Sequence, residues 1–177
     1  MIVSVIALLL VLAVPLTGGS FRPLGQLTIR AWWLLPLALG LQVLVISIFP
    51  HLPNGLDAAG HVASYGLAAG FLWLNRSIRG VPLLALGAAS NAVTIAVNGG
   101  TLPASRWAVR TAGLDTGDGF ANSAVLDHPH LPWLGDVFAI PKSWPLANVF
   151  SIGDVLILAG VAVFVLANSR SPEQIEA

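Results

Sequence analysis

Five long apolar stretches divide the chain: residues 2–16, 31–49, 58–74, 81–97 and 146–167. A helix needs about 20 apolar residues to cross a hydrocarbon layer about 30 Å thick. The second and fifth stretches meet that length, and the first and fourth fall a little short. The breaks between them, TGGSFRPLGQ, FPHLPNGLD and NRSIRG, are rich in Gly, Pro and Asn, the residues that punctuate helices. This pattern predicts an all-α integral membrane protein with five transmembrane helices in one bundle. It forms a single transmembrane domain over residues 1–177, with a long loop at 98–145 and a tail at 168–177.

The basic residues orient that bundle. Arg22 and Arg30 follow the first stretch, Arg76 and Arg79 follow the third, and Arg170 lies in the tail; none follows the second. An odd number of spans puts these segments on one side, which the positive-inside rule makes cytoplasmic. The N-terminus is then outside and the C-terminus cytoplasmic, in a multi-pass protein of the bacterial plasma membrane. The loop at 98–145 is extracytoplasmic. Trp32, Trp33 and Trp73 fall where an interfacial aromatic belt belongs. The first stretch has no basic n-region and no small-x-small cleavage site, so it reads as a retained span. The long loop alternates polar turns with the apolar residues Leu131, Trp133, Leu134, Val137, Phe138, Ile140 and Trp144. Such a segment lies on the membrane surface or folds over the bundle as a cap. Gly66 and Gly70 form a small-xxx-small pair that points to close helix packing.

Composition agrees with lipid as the main solvent: 56% of residues are hydrophobic and 9% charged, and mean hydropathy is +0.83. Formal net charge is zero, which argues against a nucleic-acid partner. The chain has no Cys, which excludes disulfides, thiolate metal sites and Cys nucleophiles. His51, His61, His128 and His130 form no compact ligand set, so no metal and no cofactor is expected.

The polar residues inside the apolar stretches carry the chemistry. Asp154 is the sole charge in the last stretch. A carboxylate inside a spanning helix costs about 2.5–3.5 kcal/mol, which marks it as a functional or pairing group. Asp57, His61 and Tyr65 are spaced four apart and share one face of the third stretch. Asn91, Thr94 and Asn98 share a face of the fourth, Ser151 stands three before Asp154, and Gln42 lies in the second. With the expected topology, these groups converge on a polar pocket in the extracytoplasmic half of the bundle, roofed by the long loop.

On GGSFRPLGQL with its downstream Gln42, Asn75-Arg76, the NGG of Asn98–Gly100 before Leu102-Pro103, LGDVF at Leu134–Phe138 and SIGD at Ser151–Asp154, the chain resembles a family of small five-span bacterial membrane proteins of unknown function. The stretches GAASNAVT and WPLANVFSIGDVLILAG are similar to the active-site segments of lipoprotein signal peptidase. That resemblance implies an aspartate pair. The second aspartate falls on Asp154, with Ser151 where an Asn would stand. Thr94 occupies the place of the first, and the following Arg is absent. Asp136 of LGD or Asp57 would then have to serve as partner. The stripe of Asp57, His61 and Tyr65 is similar to a segment of teicoplanin-resistance membrane proteins.

Three functional readings follow. The leading one is a non-enzymatic protein whose pocket of Asn91, Thr94, Asn98, Ser151, Asp154, His61, Tyr65 and Asp57 binds a membrane lipid, an isoprenoid or a membrane-protein partner. The second is an aspartyl-type intramembrane hydrolase using Asp154 and Asp136 as catalytic carboxyls. The third is a structural subunit of a larger membrane complex.

Overall fold

The computed structural model describes residues 2–44, 56–114 and 123–170. The helices are α1 (Ile2–Leu12), α2 (Phe21–Gly25), α3 (Leu34–Val43), α4 (Leu56–Leu74), α5 (Val81–Val97), α6 (Arg106–Ala112) and α7 (Ile152–Asn168). Among the described residues four short strands accompany them: β1 (Leu102–Pro103), β2 (Ser123–Ala124), β3 (Asp136–Ile140) and β4 (Asn148–Ser151). β1 pairs in parallel with β2, and β3 pairs antiparallel with β4.

The five-span, all-α membrane bundle is not what forms. Among the described residues, no helix is long and apolar enough to cross a membrane. α5 and α7 have 17 residues each, about 25 Å at a rise of about 1.5 Å per residue, short of the ~30 Å layer. Within the described residues α1 and α3 have 11 and 10 residues. α4 reaches 19, but Asp57, His61, Ser64 and Tyr65 interrupt its apolar run. The transmembrane and polytopic readings fall with the spans, and so does the sidedness built on them. The residues at 45–49 that were to end the second span, and His51, lie outside the described residues.

Local signals account for the shortened helices. α1 stops at Leu12 because Pro15 opens a 3₁₀ turn, which a left-handed Gly18 closes. The last apolar stretch does not start as helix at Leu146. Leu146 takes a positive φ of 63°, Asn148–Ser151 runs as strand, and the Ser151 hydroxyl caps α7 by accepting from the Asp154 amide at 3.0 Å. Asp154 is therefore a first-turn residue, not an acid two turns into a span.

The 98–145 segment folds onto the helices. Ser105 caps α6 by accepting from the Ala108 amide at 3.1 Å. Ala108, Val109 and Ala112 turn inward to meet Ala104 and Val149 in a small apolar core. Phe138 stacks on Phe150 across the hairpin, with ring centroids 5.2 Å apart. Asn98 ties the insertion to the end of α5: its amide nitrogen donates to the His130 carbonyl and its oxygen accepts from the His130 amide, both at 2.8 Å.

The helices form two packed pairs. α5 and α7 touch along glycines spaced seven apart on each helix. A Cβ on Gly87 would stand 2.5 Å from the Gly153 carbonyl oxygen, and one on Gly160 would stand 2.6 Å from the Leu84 nitrogen. α3 and α4 form the other pair, where the Ser64 hydroxyl donates to Gln42 Oε1 at 2.6 Å. Buried Asn75 locks the end of α4 to the chain before α3. It accepts from the Arg30 amide at 2.8 Å and donates to the Arg30 carbonyl at 2.9 Å. Gly66 and Gly70 do not mediate close packing, since a Cβ on either meets nothing within 4 Å.

Gly87→Ala is expected to push α5 off α7 and destabilise the protein by about 1–3 kcal/mol, the usual effect of overpacking. Gly66→Ala, on an open helix face, should be neutral or stabilising by up to about 1 kcal/mol. Denaturant unfolding followed by tryptophan fluorescence distinguishes the two. Equal stability of both variants would contradict the glycine seam.

Candidate functional site

The first turn of α7, the middle of α5 and the start of β3 meet at one point. Ser151 and Asp154 form a reciprocal capping box. The Ser151 amide donates to Asp154 Oδ2 at 3.0 Å, while the Ser151 hydroxyl receives the Asp154 amide. Asn91 of α5 reaches across the seam to both. Its Nδ2 donates to Asp154 Oδ1 at 3.1 Å, and its Oδ1 accepts from the Ser151 hydroxyl at 2.9 Å. Gly153 makes this approach possible, because a Cβ there would collide with Asn91 Oδ1. Three side chains thus close a ring of hydrogen bonds, with Ser151 fully buried.

Asp136 enters from the insertion. It pairs with Ser151 in the β3–β4 ladder, and a bulge follows between Asp136 and Phe138. Bulges re-aim side chains and recur beside functional sites. The Asp136 carbonyl accepts from the Ser105 amide at 2.9 Å, so its backbone is pinned on both sides. Asp136 is 4% exposed. Burial pushes its carboxyl up from 3.8 to about 6; a hydrogen bond with Ser123 opposes the rise, and the charge of Asp154 adds to it. Two carboxyls therefore sense one another here, and the buried one keeps its proton up to about pH 6.

Beside this point runs an apolar groove between α4 and α5, with a volume of about 580 Å³. Small side chains such as Ala68, Ala69, Ala88 and Ala92 floor it, Trp73 and Arg76 stand at one end, and Tyr65, Asn91 and Ile95 at the other. Asn91 belongs to both features: it lines the groove and holds Asp154.

Of the residues named from sequence, Asn91, Ser151, Asp154 and Asp136 come together. Tyr65 lies on the groove instead. Thr94 is fully buried, and its hydroxyl donates to the Ser90 carbonyl at 2.8 Å. Asn98 spends its amide on Thr94 and His130, so neither presents a free polar group to a ligand. Asp57 and His61 lie on α4, but their side chains fall outside the described residues. Among the described residues, no group of three or more His, Cys, Asp or Glu could hold a metal ion. Sequence reasoning gave no structural role to Ser123, Asn75 or the α5–α7 glycines. The seven-residue spacing of Gly80 and Gly87, matched by Gly153 and Gly160, was the signal available for the seam.

The fold and site define a small helical protein with a folded α/β insertion that delivers one acid to a second at a helix start. The chain belongs to DUF5317, a family of unknown function whose profile matches residues 26–166. It is 33% identical over 104 residues to an uncharacterized protein of Thermotoga maritima, covering 59% of this chain and 60% of that one. No solved structure matches.

The raised Asp136 carboxyl links stability to pH. The native state keeps a proton that the unfolded chain releases from about pH 3.8 upward. Its stabilisation is complete below that pH, declines as pH rises to about 6, and is gone above it. Asp136→Asn should match the native protein near pH 4 and exceed it at pH 7 and above. The ceiling is about 3 kcal/mol, at about 1.36 kcal/mol per pH unit. Denaturant midpoints across pH 4–8 measure it, and a gap independent of pH would refute the assignment.

Proposed function

We propose that the protein binds an amphiphile, a lipid or isoprenoid, whose chain lies in the groove between α4 and α5. The groove carries this reading. It is concave and apolar, it holds about 580 Å³, and that volume sits within the ~300–1,000 Å³ typical of small-ligand sites. Alanines along both walls leave room for a chain without a deep cavity. The bacterial plasma membrane is the source of such ligands and the place where the protein would act. Exposed Trp32, Trp33, Trp107, Trp133 and Trp144 are suited to membrane lipids or a membrane-protein partner, since indole rings favour surfaces with one apolar and one wet side.

The acid pair supports a second reading, an aspartyl-type hydrolase. Asp154, held by Asn91 and Ser151, would take a proton from water as the oxygen attacks a carbonyl carbon. Protonated Asp136 would give its proton to the leaving group. The observation favouring this is the raised Asp136 carboxyl beside Asp154.

A long-chain alcohol carrying bromine is expected to quench Trp73 fluorescence saturably, and Ala89→Phe, which fills the groove, to abolish the saturable part. Quenching that never saturates, or survives Ala89→Phe, would rule the groove out as the binding site. If the hydrolase reading holds, Asp136→Asn should lower cleavage of an amide- or ester-linked lipid by at least about a hundredfold, the usual contribution of a general acid, while leaving chain binding intact.

A further inference from the structure

Five of the eight basic residues gather at one end of the groove axis. At one end, α4 finishes, α5 begins and α7 finishes. The Asn168 side chain there donates to the Arg79 carbonyl at 3.1 Å, the Ser20 amide to the Ser169 carbonyl at 2.8 Å, and Arg170 to the Thr17 carbonyl at 3.3 Å. Asn75 holds the Arg30 backbone at the same place. Arg22, Arg30, Arg76, Arg79 and Arg170 therefore gather at this end, and all five are exposed. At the opposite end, past Asn91, stand Asp154 and Asp136. The two ends lie about 20 Å apart, as Pro82 and Ile95 of α5 both line the groove and the rise is about 1.5 Å per residue.

Arg76 is the cation that reaches the groove itself. Its guanidinium lies 4.3 Å from the Trp73 ring centre, and its Nη1 donates to the Trp73 carbonyl at 2.9 Å. These contacts hold the planar fork at the mouth and use one of its five N–H donors. The remaining donors match a carboxylate or phosphate.

Resting on the reading that the groove takes an apolar chain, we propose that its ligand is a single-chain amphiphile with an anionic head. The head pairs with Arg76 at the arginine-rich mouth, and the tail runs between the alanine walls toward Asn91. Arg76, the cation lining the groove, sets this direction. The arginines attract an anion, and the carboxylate held behind Asn91 repels one. Asn91 marks where the tail stops, because its amide is already committed to Asp154 and Ser151. A free fatty-acid-type carboxylate and a phosphate monoester share this chemistry; a cationic head is selected against at the mouth.

The test uses the full chain in neutral detergent and three brominated C18 probes that differ only in the head: carboxylate, alcohol and primary amine. Trp73 quenching reads binding, with Trp73→Phe to identify its share of the signal. The carboxylate should bind about tenfold more tightly than the alcohol, the usual effect of a charge-assisted hydrogen bond. The amine should bind more weakly than either. Arg76→Gln should erase the preference for carboxylate over alcohol, with an unchanged denaturant midpoint showing that the variant is folded. Added salt should reduce the preference. Equal binding of carboxylate and alcohol by the native protein would overturn the head assignment and leave the groove reading standing. A preference for the amine would overturn it in favour of the acidic end. Failure of all three probes to bind saturably would instead remove the groove reading on which the proposal stands.

Discussion

The contact on which the rest depends is the glycine seam between α5 and α7. Two helix backbones approach so closely that neither Gly87 nor Gly160 has room for a methyl group. That approach lets a short amide, Asn91, span the gap and bond both Ser151 and Asp154. A longer separation would cut Asn91 off from both, and buried polar groups left without a partner are costly. Packing and polar chemistry are thus one arrangement: the glycines set the distance, and the ring of hydrogen bonds fixes the register.

The insertion between α5 and α7 depends on the same arrangement from the other side. β4 ends at Ser151, which is also the cap of α7, and β3 begins at Asp136, its ladder partner. A sheet edge and a helix start are built on adjacent backbone, so the insertion cannot shift its register without disturbing the cap. This continuity delivers Asp136 to Asp154 across 18 residues of chain that include a hairpin turn. The acid is buried beside like charge, a cost the native state lowers by keeping a proton.

Much of the helical pattern was legible. The apolar run at 81–97 is helical over those same residues, because Gly80 and Pro82 mark its start and Asn98-Gly99-Gly100 its end. What was misread is that run as a membrane span. Hydropathy measures how apolar a stretch is, whereas crossing a bilayer also demands uninterrupted length, which these helices lack. The last stretch misled for a related reason. Leu146–Phe150 is apolar enough to extend a helix, but Pro145 and Asn148 favour turn and strand, and Ser151 with Asp154 three residues on is a capping pattern. Read as a cap, it places the acid at a helix start, where a carboxylate is stabilised by the dipole and by backbone amides. A partner for Asp154 was suggested only by the resemblance to lipoprotein signal peptidase, which left Asp136 and Asp57 both open because no spacing chose between them. Ser123, which hydrogen-bonds Asp136, stands in a region with no pattern of its own.

The Asn75 clamp has a mechanical meaning. By fastening the end of α4 to the chain that leads into α3, it makes that helix pair behave as one plate. The α5–α7 seam makes the other pair a second plate. Only residues 75–80 join α4 directly to α5, with Gly80 at a φ of 93°. Gly80 packs against Gly160 and Phe164 of α7 and Asn168 holds the Arg79 carbonyl, so the link that leaves the first plate is riveted to the second.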